Sequence, residues 1–327
     1  MSISLSCLEI NLEAECQRIC EFLRNGIVRT FRKKGAVVAV SGGIDSSTTT
    51  ALCAQALGSD HVFALIMPEK DSSSESLDYG KMLVTHLGIP YEVRDITPIL
   101  HSQGCYQYRD DAIKEIIPEY LPTWRCKIAL SDGMIRGSRM NFYSIVVESP
   151  EGFQIKKRIP WKNYLQIVAA TNMKQRTRKS LEYFHADRLN YAVVGTPNLL
   201  EYDQGFFVKL GDGAADLKPI AHLYKTQVYA MARHLGLPEE LCQRKPTTDT
   251  YSLDQSQEEF FFRVPHQVLD LVLWGYSKGL GSKELSAMAS VPEEVVQFLL
   301  TDIEQKRQTT APLHLQPLTL TPVNPQK

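Results

Sequence analysis

The stretch 36-AVVAVSGGIDSSTTT-50 runs from small and β-branched residues through two glycines and an aspartate into five hydroxyl side chains. Val37, Val38 and Val40 spell a buried strand, and Ser46 onward spells a helix reaching Leu57. Strand, glycine turn and helix N-terminus together hold an anion against free backbone N–H groups. The loop lacks the lysine of a Walker A loop and carries an acid, Asp45, instead. A carboxylate there repels phosphate unless a divalent cation lies between them, so Asp45 implies Mg2+, which binds carboxylates and phosphates together. The expected phosphate contacts are the N–H groups of Gly42, Gly43 and the residues after them, with hydroxyls from Ser41, Ser46 and Ser47. Glycine permits the close approach because no Cβ intervenes. The plain alternative is a turn whose Asp only faces a helix dipole. That reading suits a lone GG-x-D better than the complete SGGxDSS.

Outward from this loop, strands and helices alternate. A helix is expected over 10–32, with Ile10, Leu12, Ile19, Phe22, Leu23 and Ile27 on its apolar side. His61–Pro68 reads as a second strand and Tyr91–Ile96 as a third. Between them, Ser72–Glu75 supplies a capping box for a helix to about Leu87. Such alternation predicts an α/β fold, a doubly wound parallel sheet with flanking helices. The pattern stops from Thr97 to Ala170, where NFYSIVVES-PEG-FQIKKR predicts a hairpin turning at Pro150 and Gly152. This segment, centred on about 100–165, reads as an insertion. The parallel theme resumes with a helix over 164–189, a strand over 191–196 and a helix over 223–235 closed by Gly236 and Pro238. The expected division is an α/β domain over 1–255, a helical C-terminal part over 256–310, and an extended or disordered tail over 311–327.

The bulk properties are those of an ordinary globular chain. There are 327 residues, 43% hydrophobic, with a net charge of −1, which gives no electrostatic case for nucleic acid or a membrane surface. No apolar run approaches the roughly 20 residues that cross a bilayer. The N-terminus has neither a basic nor a continuous apolar region, so secretion is not expected. The seven cysteines are scattered, without CxxC or zinc spacing, and a reducing cytoplasmic location fits them.

SGGIDSS resembles the loop of the N-type ATP pyrophosphatases, which cut ATP between its α and β phosphates and form an adenylate. Within that superfamily, 195-GTPNLLEYDQGFFVKLGDGAADLKPIAHLYKTQVY-229 resembles the signature of the ammonia-dependent NAD synthetases. So do 172-NMKQRTR-178 and 245-KPTTDTYSLDQSQEE-259, and together with the loop the likeness spans about 36–259. The resemblance implies amidation of deamido-NAD through an acyl-adenylate, consuming ATP and ammonia. It implies ATP contacts from Ser41, Gly42, Gly43, Ile44, Asp45, Ser46, Ser47 and Thr48, and from Arg178, Thr196, Lys225 and Thr247. It implies deamido-NAD contacts from Asn172, Arg176, Lys209 and Asp216, and places Asp212 where ammonia is received and deprotonated. Asp45, Asp212 and Lys225 are the expected catalytic residues. Glu201, just past a strand end, joins Asp45 as an expected Mg2+ ligand. The resemblance also implies a homodimer.

Some features depart from the family pattern. The 97–170 insertion is long, and it is expected to lie over the bound nucleotides as a lid. The family's C-terminal basic-histidine segment has only a faint echo in Arg307 and His314. No N-terminal cysteine and no room for a nitrilase-type domain precede the loop, so ammonia is expected free or from a separate protein. The alternatives are an enzyme of the same chemistry amidating a different carboxylate, a tRNA-modifying relative, and a catalytically silent nucleotide-binding module.

Overall fold

The computed structural model describes residues 5–130, 143–244 and 250–321. A short 3-10 turn, Ser6–Leu8, precedes α1 (Leu12–Arg24), which continues through a π-helical stretch to Thr30. Then follow β1 (Ala36–Ala39), α2 (Ile44–Leu57), β2 (Val62–Ile66), α3 (Ser74–Leu87) and β3 (Tyr91–Val93). Next come α4 (Thr97–Ser102), α5 (Cys105–Lys114), β4 (Arg125–Leu130), β5 (Tyr143–Glu148) and β6 (Gln154–Arg158). The chain continues with α6 (Trp161–Leu189), β7 (Ala192–Val194), α7 (Leu199–Asp203), α8 (Lys225–His234) and α9 (Glu239–Gln243). It ends in α10 (His266–Ser277), α11 (Ser282–Ala289) and α12 (Glu293–His314).

β1, β2, β3 and β7 form one parallel sheet in the order β3-β2-β1-β7. Alternation along β1 explains why helices cover both faces. Val38 and Ala36 pack with α1, α2 and α8 through residues such as Ile19, Leu23, Leu52 and Met231. Val37, pointing the other way, packs with Leu65, Val193, Leu100, Cys105 and Ala186.

This second face corrects the sequence expectation for 97–170. The parallel pattern does break there, but α4 and α5 are scaffold: Leu100 and Cys105 close the sheet's far side. β4, β5 and β6 form a second, antiparallel sheet, whose Cys126, Ile145 and Val147 pack with Ile113 of α5, Ile117, Tyr120 and Ile167 of α6. The expected hairpin is β5–β6. Its turn closes by Gly152 N–H donating to Ser149 O at 2.9 Å, with Gly152 at φ +85°. At α3 the cap is Ser73, whose hydroxyl accepts from Glu75 N–H, and no box forms from Ser72. Ser72 Oγ instead accepts the Glu69 N–H.

The C-terminal helices share a separate apolar cluster, which also takes in Leu8 and Leu200. The tail expected from 311 begins later, because α12 carries through Pro312 to His314. Docking explains this persistence. His314 sets its ring edge-on against Tyr202 and Phe207, Lys209 donates to Pro312 O, and Arg307 pairs with Asp203.

Candidate active site

The strand order reverses at β1, with β2 and β3 on one side and β7 on the other. A crevice at the C-terminal ends of strands is where such sheets bind ligands. Here the crevice is a cavity of about 620 Å³, bounded by the loop after β1, the turn after β7, the middle of α6 and the 205–212 loop. That volume suits a nucleotide-sized ligand.

The loop after β1 is built for close approach. Gly42 has φ +73°, and a Cβ there would lie 2.6 Å from Ser76 O. No side chain caps the N-terminus of α2, so its first-turn N–H groups stay available to an anion. Ser41, Gly43, Ile44, Asp45 and Ser46 line the cavity, whereas Gly42, Ser47 and Thr48 lie behind it. The hydroxyls of Ser47 and Thr48 are spent on backbone, donating to Gly43 O and Ile44 O.

Asp45 is the meeting point of one charged group. Its carboxylate accepts from Asn198 Nδ2 at 2.9 Å and pairs with Lys225, the first residue of α8. Glu201 sits beside it. Glu201 Oε2 accepts the Asn198 N–H and Oε1 accepts from Gln257. Enclosure of Glu201, and then the charge of Asp45, push its carboxyl up to about 8 against the pull of Lys225. Burial works against the charge on Lys225, but the carboxylates of Asp45 and Glu201 outweigh it and hold the ammonium well above its ordinary value. Two crowded carboxylates beside an anion cradle are a donor set that suits a divalent cation shared with phosphate oxygens. No cluster of three or more metal-ligating side chains occurs among the described residues.

A second charged group forms around Asp212, which also lines the cavity. Burial raises its carboxyl, while the Val208 N–H, Lys179 and Arg178 pull it back. Arg176 donates to Lys209 O, and Arg178 donates to Met67 O at 3.2 Å. Asn172, Arg176, Arg178, Thr196 and Lys209 all line the cavity. Asp216 does not: its carboxylate accepts the Val193 N–H at 2.8 Å and the Tyr183 hydroxyl, steadying β7. Thr247 lies outside the described residues.

Several participants escaped the sequence reading. Arg244 donates to Gly42 O and Ser76 Oγ, tying the loop to α3 across some two hundred positions with no local signal. Lys179 and Glu182 form a buried pair in the cavity wall at 2.6 Å. Lys174 is almost fully buried, donating to Glu69, Asp71 and Thr250 O, and Arg109 of α5 shares Asp71 with it. The charge of Lys174 is therefore satisfied inside the chain. Asn198 was legible in principle, since N-x-x-E is a capping-box spelling.

An uncapped helix N-terminus, paired carboxylates and a buried lysine thus meet at the switch point of an α/β sheet, the place where folds of this class take nucleotides. The NAD synthase family model matches residues 15–121 and 139–310, and the chain belongs to that family. The NH(3)-dependent NAD(+) synthetase of Rhizobium meliloti (strain 1021) is 53% identical over 320 residues, spanning 98% of this chain and 95% of that one. Its namesake from Thermotoga maritima is 36% identical over 77% of this chain and 83% of its own. Among solved structures, the NH3-dependent NAD synthetase of Campylobacter jejuni aligns at TM-score 0.61 and 22% identity, covering 96% of this chain and all of that one. NMN synthetase from Francisella tularensis aligns at 0.65 and 21% over 95% of this chain and 99% of its own, so these two structures speak to fold. No helix among the described residues is long and apolar enough to cross a membrane.

Proposed function

We propose that the chain amidates deamido-NAD to NAD in the cytoplasm, using ammonia, free or delivered by a separate protein, and splitting ATP to AMP and pyrophosphate. The observation that carries this reading is the convergence of Asp45, Glu201 and Lys225 on the uncapped start of α2. In the proposed reaction a carboxylate oxygen of deamido-NAD attacks the ATP α-phosphorus and pyrophosphate leaves. Ammonia then attacks the acyl carbon, AMP departs with the former carboxylate oxygen, and a proton passes to the enzyme.

Each step leans on this chain's own groups. The α2 N–H groups and Lys225 meet the phosphates, and charge stabilisation of this kind supplies most of the rate in such chemistry. Asp45 and Glu201 would hold Mg2+, which neutralises charge on the leaving pyrophosphate when bound. Arg176, Asn172 and Lys209 would orient deamido-NAD, with Asp216 acting behind them through β7. Asp212, its basicity raised by burial, takes the proton from ammonia. ATP–pyrophosphate exchange over a panel of carboxylates tests the substrate. Deamido-NAD should support exchange, and a different carboxylate doing so in its place would establish the rival amidation.

Glu201→Gln removes one anionic ligand, so half-maximal activity should need more Mg2+, and coincident Mg2+ titrations would remove Glu201 from the metal site. The same variant has a pH signature without metal. Native Glu201 holds its proton up to about 8 against an ordinary 4.5, so the folded state binds more protons than the unfolded one between those values. Stability from this group is complete below about 4.5 and declines as pH rises to about 8. Glu201→Gln should flatten that decline in Tm.

A homodimer fits the exposed Trp161, Leu165 and Phe184 along α6. A fully active monomer in sedimentation at working concentration would contradict it.

A further inference from the structure

Lys225 occupies an awkward place. It opens α8, where the helix dipole already presents positive charge, and its ammonium is buried as well. The residue before it, Tyr224, offers no side-chain cap to the first turn. The missing acceptor comes from another helix. Asp270 of α10, fully buried, accepts the Thr226 N–H at 2.7 Å, the Thr226 hydroxyl at 2.6 Å and the Lys225 N–H at 3.3 Å. One turn earlier on α10, His266 stacks on Tyr229 of α8 with ring centroids 5.4 Å apart. α10 thus grips the start of α8 at two successive turns.

We infer that Asp270 is a positioning residue for the ATP-splitting step: it caps α8 from outside and thereby aims Lys225 at Asp45 and the phosphate cradle. The inference rests on the proposed role of Lys225 toward ATP. A buried carboxylate is costly unless its oxygens are satisfied, and among the described residues those of Asp270 are satisfied by the two residues that open α8. Burial pushes its carboxyl up to about 6, with Thr226 opposing, so it is ionised at neutral pH and places a negative charge against the helix start. The C-terminal helical part, which supplies none of the expected catalytic residues, would in this way govern the geometry of one of them.

Capping that only stabilised the fold would act independently of Lys225, and a double-mutant cycle separates the two. MgATP affinity is measured by titration calorimetry, well below every Tm, for wild type, Asp270→Ala, Lys225→Met and the double variant. Lys225→Met and Asp270→Ala should each weaken MgATP about tenfold, and the double variant no more than Lys225→Met alone. Deamido-NAD affinity should stay unchanged throughout. Asp270→Asn, whose amide oxygen still accepts one N–H, should recover part of the loss, and it carries the cycle if Asp270→Ala does not fold. Additive losses, or wild-type MgATP binding in Asp270→Ala, would overturn the inference while leaving the proposed function standing. Wild-type binding in Lys225→Met would overturn both the phosphate role of Lys225 and the inference built on it.

Discussion

Asp45→Asn is expected to lower ATP–pyrophosphate exchange by about 100-fold or more, in line with the loss of a preorganised charge at a phosphoryl centre. The side chain keeps its shape and its oxygen can still accept from Asn198 Nδ2, so the fold should survive, as a thermal melt would verify. What disappears is the counter-charge of Lys225 and one of the two carboxylates available to Mg2+. A further consequence distinguishes this variant from general damage. Asp45 is, after burial, the main cause of the raised carboxyl of Glu201, so Glu201 should titrate lower in the variant. Exchange at the wild-type rate would remove Asp45 from the reaction.

Asp212→Asn should separate the two half-reactions. Adenylation, read by pyrophosphate exchange, should change little, because Asp212 belongs to the charged group around Lys179 and Arg178 and not to the one around Asp45. Amide formation should fall by about 100-fold, the usual range for losing a positioned proton acceptor. AMP would then accumulate without matching NAD as water replaces ammonia. Parallel losses in exchange and amidation would instead mean that Asp212 shapes substrate binding.

The sheet was legible because its signals are local. The apolar runs before Pro68 and before Gly195 need no partner to be recognised as strands, and SGGIDSS carries its own turn, helix start and acid. The site was half legible. Asp45, Lys225 and Glu201 could be chosen from motif resemblance, and the fold brings them together. Lys174 illustrates what local reading misses: it shares the basic helix with Arg176, yet Glu69, Asp71 and Arg109 turn it into a buried junction between α6 and α5. Arg244 and Asp270 are similar, since each matters through backbone groups far away in sequence. The insertion was misjudged at its start because α4 and α5 are short and polar on one side, and Leu100, Cys105 and Tyr106 find their partners only on the far face of the sheet.

The most direct test follows oxygen. Deamido-NAD with both carboxylate oxygens labelled with oxygen-18 is incubated with the enzyme, MgATP and ammonium, and the products are analysed by mass spectrometry. The acyl-adenylate route predicts NAD and AMP in equal amounts, one labelled oxygen in the AMP phosphate and the other in the amide carbonyl. Label absent from AMP, or NAD absent while a different added carboxylate is amidated, would contradict the proposed function.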